Sequence, residues 1–176
     1  GVFPPGVNKH FVLSKPLSKH GFTAVSTKEV LKKAIEEQDD SANQIEECIQ
    51  NGVNVPGDTM TRLLIKHLSE LTNEGQTRFY VSGFPRCEEN SKTWLTLAKG
   101  IFKVVALIYV SYTRKEYETE LDEMEQVTGV KPDFEEMTKK YDYFLQNTKN
   151  VDDDFGTKKL IKLSATLDDN TISTKV

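Results

Sequence analysis

The chain has 176 residues, 37% of them apolar and 28% charged, which suits one globular domain with a sizeable core. Its net charge of −4 argues against a nucleic-acid partner or an anionic membrane surface. The longest apolar run, Val104 to Val110, is too short to span a bilayer, and the opening residues carry no export signal. Cys48, Cys87, His10, His20 and His67 have no metal-ligand spacing, so a reduced, metal-free, cytoplasmic protein is expected.

Taken in order, Gly1 to Gly6 reads as an extended lead-in. His10 to Ser14 reads as a first strand, Lys15 to His20 as a short link, and Phe22 to Val25 as a second extended piece. Ser26 and Glu29 have the spacing of a capping box, opening a helix with Val30, Leu31, Ala34 and Ile35 on one face. Asp39-Asp40 breaks that helix. Ser41 with Gln44 marks the next, through Ile45, Cys48 and Ile49, closed by Gly52 at a left-handed position. After a loop at Val53 to Gly57, Asp58 is expected to cap a helix. Its apolar stripe is Met60, Leu63, Leu64, His67, Leu68 and Leu71, with His67 a core-edge residue.

Phe79 to Val81, followed by Ser82-Gly83-Phe84-Pro85-Arg86, has the grammar of a buried parallel strand with a ligand loop at its carboxyl end. Gly83 permits close backbone approach, Pro85 stiffens the loop and Arg86 offers a bidentate cation; the plain alternative is a tight turn with a surface arginine. A helix through Trp94, Leu95 and Leu97 ends near Gly100, and Phe102 to Tyr109 reads as a fully buried strand. Thr113 and Glu116 form a further capping box. It opens an acidic helix with Tyr117, Leu121 and Met124 as apolar positions and a solvated charged face. Asp133 opens a helix with Phe134, Met137, Tyr141, Phe144 and Leu145. An acidic loop at Asn150 to Asp154, a strand at Leu160 to Leu163 and a short segment from Leu167 complete the chain.

Helices alternating with four or five short apolar strands define an α/β class. The expectation is a doubly wound parallel sheet of about five strands flanked by helices, in a single domain over residues 1–176.

Four pieces of this chain resemble the adenylate kinase family of nucleoside-monophosphate kinases, in the family's order and near its spacing. They are Gly21 to Thr27, Asn51 to Thr59, Ser82 to Arg86 and Asp133 to Lys140. The resemblance runs from about Phe11 to Ala165. It implies a phosphate-loop fold with a helical monophosphate-binding flap at about 27–57 and a minimal lid at about 127–132. The implied activity is phosphoryl transfer from Mg-ATP to a nucleoside monophosphate, which depends on positioned phosphates and neutralised charge.

Carried over residue by residue, Arg86 stands where the family grips the monophosphate, beside Gly83. Thr27 and Val55 match positions near the base. Lys32 replaces an arginine, Asn90 a base-reading glutamine, and Ser82 an acidic residue that orders magnesium-bound waters. The phosphate loop is expected after the first strand, where Ser14 to His20 contains no glycine, so it reads as shortened, with Lys15 or Lys19 as its residual cation. At the family's lid arginines stand Thr119, Glu123, Val130 and Tyr141. Of the four arginines, Arg62, Arg78 and Arg114 match no site position.

These departures imply no catalytic residue, no metal and no cofactor. The expected function is a non-catalytic structural or interaction module with protein partners in a larger assembly, cytoskeletal, ciliary or organellar. The competing readings are a nucleoside-monophosphate sensor and an active kinase, the latter alone requiring Mg-ATP. Neither a nucleic acid nor a membrane is an expected partner.

Overall fold

A computed structural model describes residues 1–6, 10–129, 131–151 and 160–164. Its elements run α1 (His10–Lys19), β1 (Thr23–Ser26), α2 (Thr27–Glu36), α3 (Ala42–Gln50), α4 (Gly57–Asn73) and β2 (Phe79–Ser82). They continue with α5 (Glu88–Leu97), β3 (Leu107–Ser111), α6 (Arg114–Thr128), α7 (Phe134–Thr148) and β4 (Leu160–Ser164). This is a mixed α/β chain of helices and short parallel strands. Val130, Asp152 to Asp154 and the segment from Leu167 lie outside the described residues.

The strands form two parallel pairs. In one, Thr23 aligns with Phe79 and Ser26 with Ser82; in the other, Leu107 aligns with Leu160 and Ser111 with Ser164. The expected lead-in joins them. Val2 is buried, donates its amide to Ile108 O at 2.9 Å and accepts from Val110 N at 3.1 Å. On the other side Gly1 donates to Val81 O at 2.5 Å and accepts from Gly83 N at 3.0 Å. Gly1-Val2 therefore runs between β2 and β3, in parallel with Tyr109, and Phe3 to Gly6 leaves at the same edge as the loop after β2.

That placement overturns the expected first strand at His10 to Ser14, which is the opening of α1. An apolar run of four is ambiguous between strand and helix. Here Leu13 and Leu17, one turn apart, are both buried, and their packing carries the helix through Pro16 despite the amide that proline removes.

The expected strand at Phe102 to Tyr109 begins only at Leu107. Val105 is 63% exposed and Ile101 59%, because ladder pairing to β4 and Val2 starts at Leu107 and Ile108. Leu145 is likewise exposed rather than buried.

The core is built as the periodicity predicts. Val30 and Ala34 of α2, Ile45 of α3, and Met60, Leu63, Leu64 and Leu68 of α4 are buried. His67 is the edge residue, with Nδ1 3.8 Å from Glu70.

Capping follows the sequence unevenly. Thr113 accepts from Glu116 N while Glu116 accepts from Thr113 N, and Asp133 accepts from Glu136 N at 3.0 Å. Ser26 and Ser41 make no cap bond; Ser41 instead donates to Asp39 at 2.7 Å. Asp58 lies inside the first turn of α4, held by Arg62 at 2.7 Å, and Pro56 occupies the capping position. Among the described residues, no helix is long and apolar enough to cross a membrane.

The capping difference is measurable. Thr113→Ala should lower the unfolding free energy by about 1 kcal/mol, whereas Ser26→Ala should stay within about 0.5 kcal/mol. Urea unfolding of the two variants checks this.

Candidate functional site

Parallel strands bring their carboxyl ends to one edge, and the connections there form the candidate site. Ser26-Thr27 follows β1, Ser82-Gly83 follows β2, Phe3 to Gly6 follows the joining segment, and Tyr112 follows β3.

The loop after β2 is tightly drawn. Gly83 has φ +76°, and a Cβ there would lie 2.5 Å from Thr27 Oγ1. Its carbonyl accepts from Thr27 Oγ1 at 3.2 Å and from Arg86 Nε at 3.1 Å. The Arg86 amide donates to Asn90 Oδ1 at 3.0 Å. Asn90 is buried and its Nδ2 has no hydrogen-bond partner. Four of the residues that the resemblance implied, Thr27, Gly83, Arg86 and Asn90, thus share one hydrogen-bonded loop.

Arg86 is the cation of this loop. Its side chain reaches solvent, yet the guanidinium lies against the loop backbone, and desolvation there lowers its pKa. Among the described residues no carboxylate lies within ion-pair distance of it. Arg62 and Arg114, by contrast, are held by Asp58 at 2.7 Å and Asp142 at 2.6 Å, and Arg78 donates to His20 O at 3.1 Å. Ser82 is buried, donates to Val25 O at 3.5 Å and carries no charge.

The other implied residues lie elsewhere. Lys32 is 76% exposed and pairs with Glu36 at 3.3 Å on its own helix, as a solvated helix lysine would. Val55 lines a neighbouring cleft of about 310 Å³ with Cys87, Glu89 and Tyr143. Burial pushes the Cys87 thiol up, away from nucleophilic chemistry. Lys15 and Lys19 are exposed on α1, so the shortened loop expected there does not exist.

The turn that does follow the central segment, Phe3-Pro4-Pro5-Gly6, is unlike an anion cradle. Such cradles work through convergent backbone N–H groups, and Pro4 and Pro5 supply none. The Pro5 carbonyl accepts from Tyr117 Oη at 2.7 Å. Gly6 has φ +80°, and a Cβ there would lie 2.3 Å from Met137 Cε.

Sequence reasoning missed this turn. Laid over G-x-x-x-x-G-K-[ST] with Lys9 as the lysine, the chain puts Phe3 and Asn8 in the glycine places and His10 in the hydroxyl place. Substituted glycines hide the motif, and the lone signal left was the spacing of Lys9 ahead of Gly21-Phe22-Thr23. Of the residues that the resemblance set at the lid arginines, Thr119 bonds back to Lys115 O at 2.9 Å, Glu123 is exposed, and Tyr141 is buried against Tyr117; none of these three is a cation.

No family model matches the chain. Among curated proteins it is 26% identical over 148 residues to UMP-CMP kinase 1 of Oryza sativa subsp. japonica, covering 84% of this chain and 58% of that protein. It is 25% identical over 172 residues to UMP-CMP kinase of Homo sapiens, covering 94% and 88%. It is 29% identical over 95 residues to an adenylate kinase of Salinibacter ruber, covering 53% and 42%. The chain thus spans under two thirds of the rice relative and most of the human one. These similarities support the nucleoside-monophosphate kinase family.

The close approach at Gly83 yields a prediction. Gly83→Ala should cost at least ~2 kcal/mol, combining a strained φ with the Thr27 contact. Part of that loss should return in a Thr27→Ala background, because the two sites touch. A double-mutant cycle by urea unfolding measures the coupling.

Proposed function

We propose that this chain is a nucleoside-monophosphate-kinase-like domain that has lost phosphoryl transfer. It serves as a structural or interaction module for protein partners within a larger cytoplasmic, cytoskeletal or organellar assembly. The joining segment Gly1-Val2 reads as the middle strand of a five-stranded family sheet.

One observation carries the reading. At the turn where the family's triphosphate would sit, Pro4 and Pro5 offer no amide N–H, and Tyr117 and Met137 lie against the Pro5 carbonyl and Gly6. Phosphoryl transfer relies on donors and cations fixed around the moving charge. Mg-ATP does not fit this end: Ser82 offers no carboxylate for magnesium-bound water, and Thr119, Glu123 and Tyr141 offer no positive charge. The loss is selective, since the core positions and the Thr113 and Asp133 caps remain.

The test is direct. The full chain mixed with magnesium, ATP and each of UMP, CMP and AMP should form ADP at least ~10³-fold more slowly than a kinase with its arginine clamp. Steady turnover that disappears in Arg86→Ala would restore the active-kinase reading.

A second reading has its own support. Arg86 has no carboxylate partner among the described residues and sits beside Gly83, Thr27 and the unpaired Asn90 Nδ2, an arrangement suited to a monophosphate. In this reading the chain is a nucleoside-monophosphate sensor without transfer. Calorimetry with UMP, CMP, AMP and GMP should then show binding that Arg86→Ala weakens about 10- to 100-fold, as expected for losing a hydrogen bond to a charged group, while Lys32→Ala changes it little. Absence of heat and of thermal shift at millimolar ligand removes the sensor reading and leaves the module.

A further inference from the structure

Tyr117 stands at the centre of a packed aromatic group that ties three elements to one turn. It is 1% exposed and its ring stacks on Tyr141 of α7, with centroids 4.4 Å apart and planes within 14°. Tyr112, just past β3, meets it edge-on at 6.4 Å. Tyr141 Oη donates to Tyr112 O at 2.5 Å, fixing α7 to the strand end. Tyr117 Oη donates to Pro5 O at 2.7 Å, with Met137 O a longer second acceptor at 3.4 Å. Leu121, one turn along α6, is fully buried, and its Cδ2 lies 3.7 Å from where a Gly6 Cβ would sit.

We propose that this tyrosine stack is a permanent latch, holding α6 and α7 closed over the Pro4–Gly6 turn in the absence of any ligand, so that the turn never opens to a triphosphate. The proposal rests on the loss-of-transfer reading and sharpens it: the end of the site is shut, as well as stripped of donors.

Three features make the closure a property of the fold. The buried hydroxyls of Tyr117 and Tyr141 find their acceptors only with both helices in place, and a buried hydroxyl left unpaired is costly. Swinging α6 and α7 outward would expose Tyr117, Leu121 and Tyr141 together. Burial also pushes the Tyr117 phenol up to about 12, so it keeps the proton it donates to Pro5 O.

Hydrogen–deuterium exchange of the full chain tests this without reference to activity. Without nucleotide, amides within α6 and α7 should exchange as slowly as those of β3, and millimolar ATP should not change them. Tyr117→Phe removes only the hydroxyl, with its bond to Pro5 O and the longer one to Met137 O. It should speed exchange in α6 and α7 about 10-fold, the worth of one hydrogen bond, and leave α4 unaffected. Should that variant fail to fold, Met137→Ala should give the same local acceleration.

Wild-type exchange in α6 and α7 at the rate of exposed loops would overturn the latch. So would ATP-induced protection, a Tyr117→Phe profile equal to wild type, or uniform acceleration across α4. Measurable phosphoryl transfer would sink both the latch and the loss-of-transfer reading, whereas fast exchange in α6 and α7 without transfer would sink the latch alone.

Discussion

The arrangement depends on two residues of backbone. Val2 exchanges hydrogen bonds with Ile108 and Val110 on one side, and Gly1 with Val81 and Gly83 on the other. Among the described residues, the two strand pairs share no ladder without that segment. With it, the turn at Pro4–Gly6, the Gly83 loop and the end of β3 are carried to a common edge. Each buried bond adds only ~1 kcal/mol net. What they set is register, and register decides which side chains meet at that edge.

Two halves of the edge then part company. On one side Gly83 and Thr27 approach so closely that a methyl group would not fit, and among the described residues Arg86 has no acid within ion-pair distance. On the other, Pro4 and Pro5 offer no amide N–H, and the Tyr117 hydroxyl is bonded to the Pro5 carbonyl. Each buried aromatic ring removes roughly 150–250 Å² from water, so at ~25 cal/mol per Å² the tyrosine stack stabilises the filled state by several kcal/mol before entropy is counted. In the proposed reading, a polyphosphate would have to displace that packing.

Much of the fold was legible. Period 3.6 stripes located α2, α4 and α7, the Thr113–Glu116 spacing located the start of α6, and Gly52 fell at the expected positive φ. What failed did so for physical reasons. The run at His10 to Ser14 is too short to choose between periods, and packing of Leu13 and Leu17 decided it. Phe102 to Ala106 is apolar enough for a strand but forms no ladder. Ser26 has the capping spacing, but its hydroxyl makes no cap bond. At the candidate site, Thr27, Gly83, Arg86 and Asn90, named from the glycine-aromatic-proline-arginine loop and its neighbours, lie together in the structure. Lys32, assigned because it replaces a family arginine, and Lys15 and Lys19, assigned as residual loop cations, lie on helix surfaces. The Pro4–Gly6 turn was passed over because its glycine places hold Phe3 and Asn8, and because nothing in the sequence announces that Tyr117 and Met137, more than a hundred residues away, will lie against it.

The most direct measurement of the central claim is a crystal structure of the chain soaked with a bisubstrate analogue, two nucleosides joined through a polyphosphate. The account predicts no phosphate density beside Pro4–Gly6, with the Tyr117 hydroxyl still bonded to the Pro5 carbonyl and any bound group confined to the Arg86 loop. Phosphates seated on that turn, with Tyr117 and Met137 turned aside and lysines gathered around the anion, would contradict it.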